Sequence, residues 1–294
     1  NKVMSVKLRL KNSLLYFLDK LPSKWGFYCY HIIQQKMDSN NFDLKLNRGI
    51  GAMNVISKIL AEINSSLDNK SITEIGSGWL PVMPYLLKYQ GNAKSIYTYD
   101  LYDHYSAQTI KDFNTYFVSK TKTKIDLSTL DAHNLPEDIH YFPKKNIIET
   151  AKIKSEVIFS RYVLEHVTPQ DIELMHKKFA SEMPKNSLII HLISPSDHRA
   201  YVDASLSMQD FLKFSEKEWK AKMTKFDYHN RLRLPEYLEI FEKCGLEVAY
   251  LNYDVPKKDS ATYKKFKNLK LHQDYHKFTE EELMAGAINN VLKV

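Results

Sequence analysis

Two glycines and two carboxylates between Ser71 and Asp100 carry the clearest chemical signal in the chain. Glu74 stands just before Gly76 and Gly78, and Asp100 follows Gly76 after a gap of 24 residues. Glycine allows a backbone to turn sharply against a ligand. A carboxylate at this distance is placed to hydrogen-bond the hydroxyls of a ribose. The spacing therefore indicates a site for a nucleoside-containing cofactor.

The same glycine pattern argues against a dinucleotide. Leu80 and Pro81 follow Gly78, so the third glycine of a dinucleotide fingerprint is missing. Glu74 lies at the end of the first strand, where a carboxylate would repel a phosphate and attract a cationic group. A cofactor with a positive charge fits this pattern better than one with a pyrophosphate.

A strand, a turn, a helix and a second strand must position these residues. Ile72, Thr73 and Ile75 suit a buried strand, Pro81 can open a helix, and IYTY at 96–99 suits a second strand. Further strands are predicted at 156–160, 187–193 and 246–253, with helices at 106–117, 169–181 and 235–244 between them. This alternation predicts an α/β fold with a doubly wound, mostly parallel sheet.

The remaining segments predict three additions to this core. Residues 1–68 are expected to form an N-terminal helical cap, and 69–255 the α/β core with a helical lid insertion at 196–235. Residues 256–294 are expected to form a basic, helical C-terminal tail. There Thr279 and Glu282 make a capping box, which predicts a helix through the final residues.

At this point the sequence resembles the class I S-adenosylmethionine-dependent methyltransferases. The resemblance covers about residues 70–255 and implies a seven-stranded Rossmann-like methyltransferase sheet. It rests on EIGSG (74–78), Asp100, LDAHNLP (130–136), FSRYVLEHV (159–167) and NRLRLPEYLEIFEKCGLEV (230–248). Residues 137–155 depart from the family pattern as a lengthened link before the fourth strand.

The resemblance implies S-adenosyl-L-methionine as cofactor, S-adenosyl-L-homocysteine as product, and a role for each matching residue. Glu74 would orient water or the methionine ammonium, and the backbone at Gly76 and Gly78 would lie against the methionine and ribose. Asp100 would bind both ribose hydroxyls. The remaining contacts would come from Leu101 and Asp131 with Ala132 at the adenine, and from Ser160 and Arg161 at the methionine end.

Transfer of a methyl group to a hydroxyl usually needs a general base, such as a histidine or a carboxylate. Candidates follow the fourth and fifth strands, where open α/β sheets bind substrate. We expect His198 to be the base, then Asp197, which could orient its imidazole, then His166. Local helix capping remains an alternative for the loop around His198, and we interpret Glu165 as a loop-holding residue and His191 as a core histidine. We assign no metal ligands.

The lid insertion resembles a methyltransferase subgroup associated with bacterial polysaccharide and glycolipid biosynthesis. Tyr201 and Trp219 could stack on sugar rings, and Arg231 and Arg233 could bind a phosphate or carboxylate. The alternative is that these aromatic side chains form a small core beneath the lid. The predicted acceptor is a sugar hydroxyl of a bacterial surface glycan or its precursor.

The composition indicates which cellular compartment and which kinds of binding partner to expect. The chain has 294 residues, a net charge of +7 and two distant cysteines, which favour a cytoplasmic protein with reduced thiols. Basic N-terminal helices predict peripheral contact with an anionic membrane at its inner face. Nucleic acid is disfavoured as a partner because the lysines concentrate at the two ends of the chain. Methylation of a small metabolite, methylation of RNA and a non-catalytic scaffold remain alternatives.

Overall fold

A computed structural model describes residues 5–38 and 41–294. Its centre is a seven-stranded sheet in the order β3-β2-β1-β4-β5-β7-β6. The strands are β1 (Ser71–Ile75), β2 (Ser95–Asp100), β3 (Ile139–Pro143), β4 (Val157–Arg161), β5 (Leu188–Ile193), β6 (Glu247–Asp254) and β7 (Gly286–Lys293). Six of them run in one direction, and β7 lies antiparallel between β5 and β6. The prediction of a seven-stranded, mostly parallel sheet is confirmed.

Helices cover both faces of this sheet. They are α1 (Val6–Lys20), α2 (Ser23–Asp38), α3 (Phe42–Glu62), α4 (Val82–Tyr89), α5 (Ala107–Thr121), α6 (Pro169–Glu182), α7 (Glu216–Lys220), α8 (Leu234–Lys243), α9 (Ala261–Lys267) and α10 (Glu280–Met284). Apolar residues of α3, α4 and α5 pack on one face, and those of α6 and α8 pack on the other. Strand β5 is buried throughout because its side chains alternate between these two cores, as Ile189 and Ile190 illustrate.

The chain changes direction across the sheet between β1 and β4. From β1 it proceeds through β2 to β3 on one side, and it then returns to β4 and β5 on the other. The crevice outside the carboxyl ends of β1 and β4 is the usual ligand site of such a sheet. This topology brings the loops that follow β1, β2 and β4 to the same edge of the sheet.

Two predicted segments are corrected by the structure. The segment 137–155, expected to be only a lengthened link, contains the edge strand β3. The helix that begins after Thr279 stops at Met284, and the expected helical tail continues instead as β7. Its apolar residues fit either helical or strand spacing, and pairing with β5 and β6 on both sides decides for the strand. The C-terminal segment is thus part of the central sheet.

The N-terminal helices have two separate roles. Helix α3 belongs to the main core, whereas α1 and α2 pack together as a hairpin against the lid. The backbone N–H of Ser5 donates to Asp203 at 2.7 Å, and that of Lys225 donates to Asp19 at 3.2 Å. Within the described residues, none of the helices combines the length and apolarity needed to cross a bilayer.

The position of β7 leads to a stability prediction for Leu292. Its side chain is fully buried, and its backbone pairs with Ile189 and Val248. Leu292→Ala should lower the free energy of unfolding by about 2–5 kcal/mol, because it leaves a cavity in a close-packed core. Lys293→Ala, at the partly exposed next position, should change it by less than about 0.5 kcal/mol. Equal, small effects of both changes in urea unfolding would contradict the placement of this strand.

Candidate functional site

An open cavity of about 510 Å³ lies at the carboxyl edge of β1, β2 and β4. Its wall includes Gly76, Gly78, Asp100, Arg161 and His166. The volume falls in the range of small-molecule and cofactor sites. Residues expected from sequence to bind the cofactor and a predicted base therefore share one cavity.

The glycine turn after β1 forms one side of the cavity. Gly76 and Gly78 have φ angles of +82° and +62°, a conformation that favours glycine. A Cβ on Gly76 would lie 2.5 Å from Cγ2 of Val163, so a side chain there would also clash. The N–H of Gly76 donates to the carbonyl of Tyr99 at 2.9 Å, which ties the turn to β2. These constraints bring bare backbone to the cavity.

Asp100 ends β2 beside this turn. Its Oδ1 accepts the backbone N–H of Tyr102 at 2.9 Å and lies 3.4 Å from Nε2 of His104. The His104 ring in turn packs on Trp79, with 4.4 Å between ring centroids. The carboxylate is thus held in one orientation at the cavity wall, as a ribose-binding acid requires.

Glu74 lies in β1, immediately before the residues that form the wall. It is buried and accepts a hydrogen bond from the Thr98 hydroxyl at 2.5 Å. Burial raises the pKa of Glu74 to about 8, and the nearby negative charge of Asp100 contributes to this shift. The carboxyl is therefore largely protonated near neutral pH, and a cation brought close to it would favour the ionised form.

Ser160 and Arg161 end β4 but face different surroundings. Ser160 is fully buried and hydrogen-bonds Nδ1 of His191 at 2.7 Å, while Nε2 of His191 lies 2.9 Å from Nε2 of His176. Ser160 thus lies in a buried polar chain and not on the cavity wall, and the interpretation of His191 as a core histidine is confirmed. Arg161 lines the cavity, and its buried Nε has no hydrogen-bond acceptor among the described residues. A ligand carboxylate would satisfy that donor.

The loop expected to contact adenine lies elsewhere. Asp131 and Ala132 are exposed, and Oδ1 of Asp131 accepts the N–H groups of His133 and Leu135 within its own turn. This loop comes before β3, whereas ligands lie beyond the carboxyl ends of strands. The misplacement follows from missing β3, a short edge strand of five residues that ends on Pro143.

The segment that follows β3 supplies the wall that sequence reasoning missed. Ile147 and Ile148 line the cavity there, as Leu101 does. The N–H of Lys145 donates to the carbonyl of Asp100 at 3.0 Å, which joins this segment to the end of β2. Leu101 itself is exposed at the cavity.

Three histidines meet beside the cavity, and we call them the histidine cluster: His166, His198 and His229. Their ring centroids lie 4.5–5.3 Å apart. Burial lowers the pKa of His198 to about 4 and that of His229 well below its usual value. Burial also lowers the pKa of His166, although this residue remains exposed toward the cavity. All three imidazoles are therefore neutral near pH 7.

Two of these histidines are expected from sequence, and His229 is not. It lies in the lid, 63 residues after His166, and nothing in its local pattern marks it. The backbone brings it into place, because Nδ1 of His166 donates to the carbonyl of Tyr228 at 2.9 Å. The lid thus completes the cluster that the two strand ends begin.

Asp197 does not orient the imidazole of His198. Its carboxylate binds the guanidinium of Arg199, with Nη2 at 2.6 Å and Nε at 3.0 Å, and it also accepts the Arg199 N–H. Both oxygens are engaged by this buried pair, so the expected base role of Asp197 is not supported. The capping alternative describes its contacts.

Glu165 joins the cluster from the turn after β4. It is fully buried, and its Oε1 accepts the N–H of Ser194 at 3.2 Å, which agrees with a loop-holding role. Its Oε2 has no hydrogen-bond partner among the described residues. Glu165, His166 and His198 can each offer one metal-ligand atom, with these atoms within 4.8 Å of one another. No metal ligands are expected here from the sequence.

The lid residues expected to bind substrate are mostly engaged internally. Trp219 is buried and donates to the carbonyl of His229 at 2.9 Å. Arg231 binds Glu216 at 2.7 Å and two backbone carbonyls, and the buried Arg233 donates to the carbonyls of Pro195 and Leu283.

These contacts correct the expected roles of Trp219, Arg231 and Arg233, because charge and aromatic surface are used to hold the lid together. The alternative of a small aromatic core beneath the lid is confirmed. Tyr201 alone of this set is exposed, with its ring centroid 5.3 Å from that of His198. It stays a candidate for substrate contact.

Comparisons with known proteins give structural likenesses only. No protein-family model matches the chain, and no curated protein matches it. One similar solved structure is the magnesium protoporphyrin IX methyltransferase of Synechocystis PCC 6803, crystallised with S-adenosylhomocysteine. It is 10% identical over 83% of this chain and 84% of that chain, with a TM-score of 0.45.

Two other similar structures have comparable scores. A putative methyltransferase from Listeria monocytogenes is 12% identical, covering 80% and 95% of the two chains with a TM-score of 0.43. A putative sarcosine dimethylglycine methyltransferase from Galdieria sulphuraria is 11% identical, covering 83% and 85% with a TM-score of 0.46. At these identities and TM-scores the likeness carries no inference about substrate or activity.

Proposed function

We propose that the protein is an S-adenosylmethionine-dependent methyltransferase. The observation that carries this proposal is the joint placement of the Gly76–Gly78 turn and Asp100 on one cavity wall at the switch point of the sheet. Glycine backbone and a ribose-binding acid on adjacent strand ends are what a nucleoside cofactor needs. Two acidic side chains close to the turn, Glu74 and Asp100, suit a cofactor with a positive charge and no phosphate groups.

Each part of the cavity has a role in this proposal. Asp100 would accept hydrogen bonds from the ribose hydroxyls, and Leu101, Ile147 and Ile148 would enclose the adenine with apolar surface. The unpaired Nε of Arg161 would bind the methionine carboxylate. Ser160, Asp131 and Ala132 have no direct contact in this arrangement.

The bound sulfonium would supply an activated methyl group. The residues of the chain would hold the acceptor in line and remove its proton, with His166 at the cavity wall and His198 behind it. Both imidazoles are neutral near pH 7, so both can accept a proton from a hydroxyl. As the methyl group passes to the acceptor oxygen, the imidazole of His166 or His198 would take the hydroxyl proton.

We propose a sugar hydroxyl of a bacterial surface glycan or its precursor as the acceptor. Aromatic side chains of α2 and the lid border the cavity and could stack on a sugar ring: Phe27, Tyr30, Phe226 and Tyr228. Phe226 contacts both Phe27 and Tyr30, with ring centroids 5.0 and 4.8 Å away. Methylation of a small metabolite is the second candidate, because the cavity would admit one.

An exposed face of the α1–α2 hairpin supports a membrane-linked acceptor. Val6, Leu10, Leu14 and Phe17 recur at helical spacing on α1 and are exposed. Trp25 and Tyr28 extend this surface on α2, and Lys7, Arg9 and Lys20 flank it. Apolar and aromatic side chains with basic neighbours fit the interface of an anionic bilayer. We propose that this face docks there and presents the cavity to a lipid-linked glycan.

Substitution of Asp100 tests the cofactor site. Asp100→Asn should weaken binding of S-adenosylhomocysteine by about 10-fold or more, since hydrogen bonds to a charged group contribute about 1.5–3 kcal/mol. Asp131→Asn is a matched control, because Asp131 lies outside the cavity. The affinity of this variant for S-adenosylhomocysteine should equal that of the unaltered protein. Isothermal titration calorimetry measures both. Absence of binding by the unaltered protein would favour the scaffold alternative, and loss only in Asp131→Asn would contradict the proposed adenine wall.

Substitution of Phe17 tests the membrane face. Phe17→Glu should reduce co-sedimentation with phosphatidylglycerol vesicles by about 10-fold or more, because it removes a large apolar anchor and adds a negative charge. Leu174→Glu on α6 is the matched control, since Leu174 is also exposed but lies off the hairpin, and it should bind as the unaltered protein does. Equal losses in both variants, or no vesicle binding at low salt, would contradict this docking.

A further inference from the structure

A carboxyl group and two imidazoles lie close together beside the cavity. Glu165 and His166 come from the turn after β4, and His198 comes from the turn after β5. One potential ligand atom of each lies within 4.8 Å of the other two. Two strand ends that are neighbours in the sheet therefore bring three potential metal ligands to one point.

Hydrogen bonds to main-chain carbonyls fix which imidazole nitrogen is free. Nδ1 of His166 lies 2.9 Å from the carbonyl of Tyr228, and Nδ1 of His229 lies 2.5 Å from that of Asn230. A carbonyl only accepts, so each Nδ1 carries the proton and each Nε2 keeps its lone pair. This arrangement is usual for histidines that bind metals through Nε2.

Two buried acceptors beside this point lack a partner. Oε2 of Glu165 and Nε2 of His229 are both buried without a hydrogen bond from any described residue. A buried polar atom left unpaired is energetically costly, and two in one small region call for an explanation. No lysine or arginine side chain hydrogen-bonds the Glu165 carboxylate among the described contacts, so the protein itself does not supply the positive charge.

We infer that Glu165, His166 and His198 form a binding site for a divalent transition-metal cation, with His229 next to it. Two histidines and one carboxylate are a known donor set for such ions and leave coordination positions open. Metal–ligand bonds of about 2.1 Å place ligands roughly 3–3.5 Å apart, so atoms near the 4.8 Å limit of this group would move closer together on binding.

The site goes beyond the proposed function, because it concerns how the acceptor oxygen is activated. His166 is part of the cavity wall, so a cation bound to it would face the acceptor end of the cavity. A hydroxyl bound to a divalent cation loses its proton more readily than a free one. His166 and His198 would then act as ligands, and Nε2 of His229 would be the nearest free acceptor for the released proton.

The test is cation binding to the tag-free, full-length chain after treatment with a chelator. Titration with Co²⁺, followed by its visible absorption, and with Zn²⁺ by calorimetry should each show one site per chain. His198→Ala and Glu165→Gln should weaken that binding by about 10-fold or more, whereas His276→Ala, which removes an exposed histidine elsewhere, should leave it unchanged. The Glu165→Gln change keeps an acceptor for the Ser194 N–H, so the fold is retained.

The same variants separate this inference from the proposed function. Their affinity for S-adenosylhomocysteine should match that of the unaltered protein, because none of these side chains belongs to the proposed cofactor wall. Absence of stoichiometric Co²⁺ or Zn²⁺ binding would overturn the inference and leave the cofactor site standing. Equal cation affinity in His198→Ala and the unaltered protein would overturn it as well.

Discussion

The candidate site depends on the register of β1 with its two neighbours. Ile75 pairs with Tyr99 on one side and with Ser160 on the other. The residues that come next on the three strands therefore emerge side by side at the carboxyl edge: Gly76, Asp100 and Arg161. A slip of one residue would turn every side chain of a strand to the other face. Burial of both faces of the sheet fixes this register, and the glycine turn, the acid and the guanidinium follow from it.

Burial also determines the charge of the site. Glu74 and Glu165 are both enclosed, and each has its pKa raised to about 8. The histidine cluster shifts in the opposite direction, because burial disfavours the charged form of an imidazole. Near neutral pH these two buried acids and the three imidazoles are therefore largely uncharged. A cation close to a neutral acid favours its ionised form, and a proton donor can protonate a neutral imidazole. The sulfonium cofactor and a bound metal would each act on the site as such a cation.

Local sequence patterns predict the parts of the site that depend on local conformation. Gly76, Gly78 and Asp100 were recognisable because the turn and the strand end need those residue types at that spacing. Strand β7 was not recognisable, because its apolar spacing also suits a helix. Its pairing with the distant strands β5 and β6 makes it a strand. Arg231 and Arg233 have the chemistry of anion binding, but their guanidinium groups hold the lid to main-chain carbonyls. His229 is brought to the cluster by tertiary folding alone, which no local pattern reports.

The central claim is that the wall formed by Gly76, Asp100 and the segment after β3 holds a nucleoside cofactor. The most direct test is a crystal structure of the protein with S-adenosylhomocysteine. We expect both ribose hydroxyls within hydrogen-bonding distance of the Asp100 carboxylate and the adenine between Leu101 and Ile147. Adenine bound against the 131–135 loop, or ligand bound away from the glycine turn, would contradict the account.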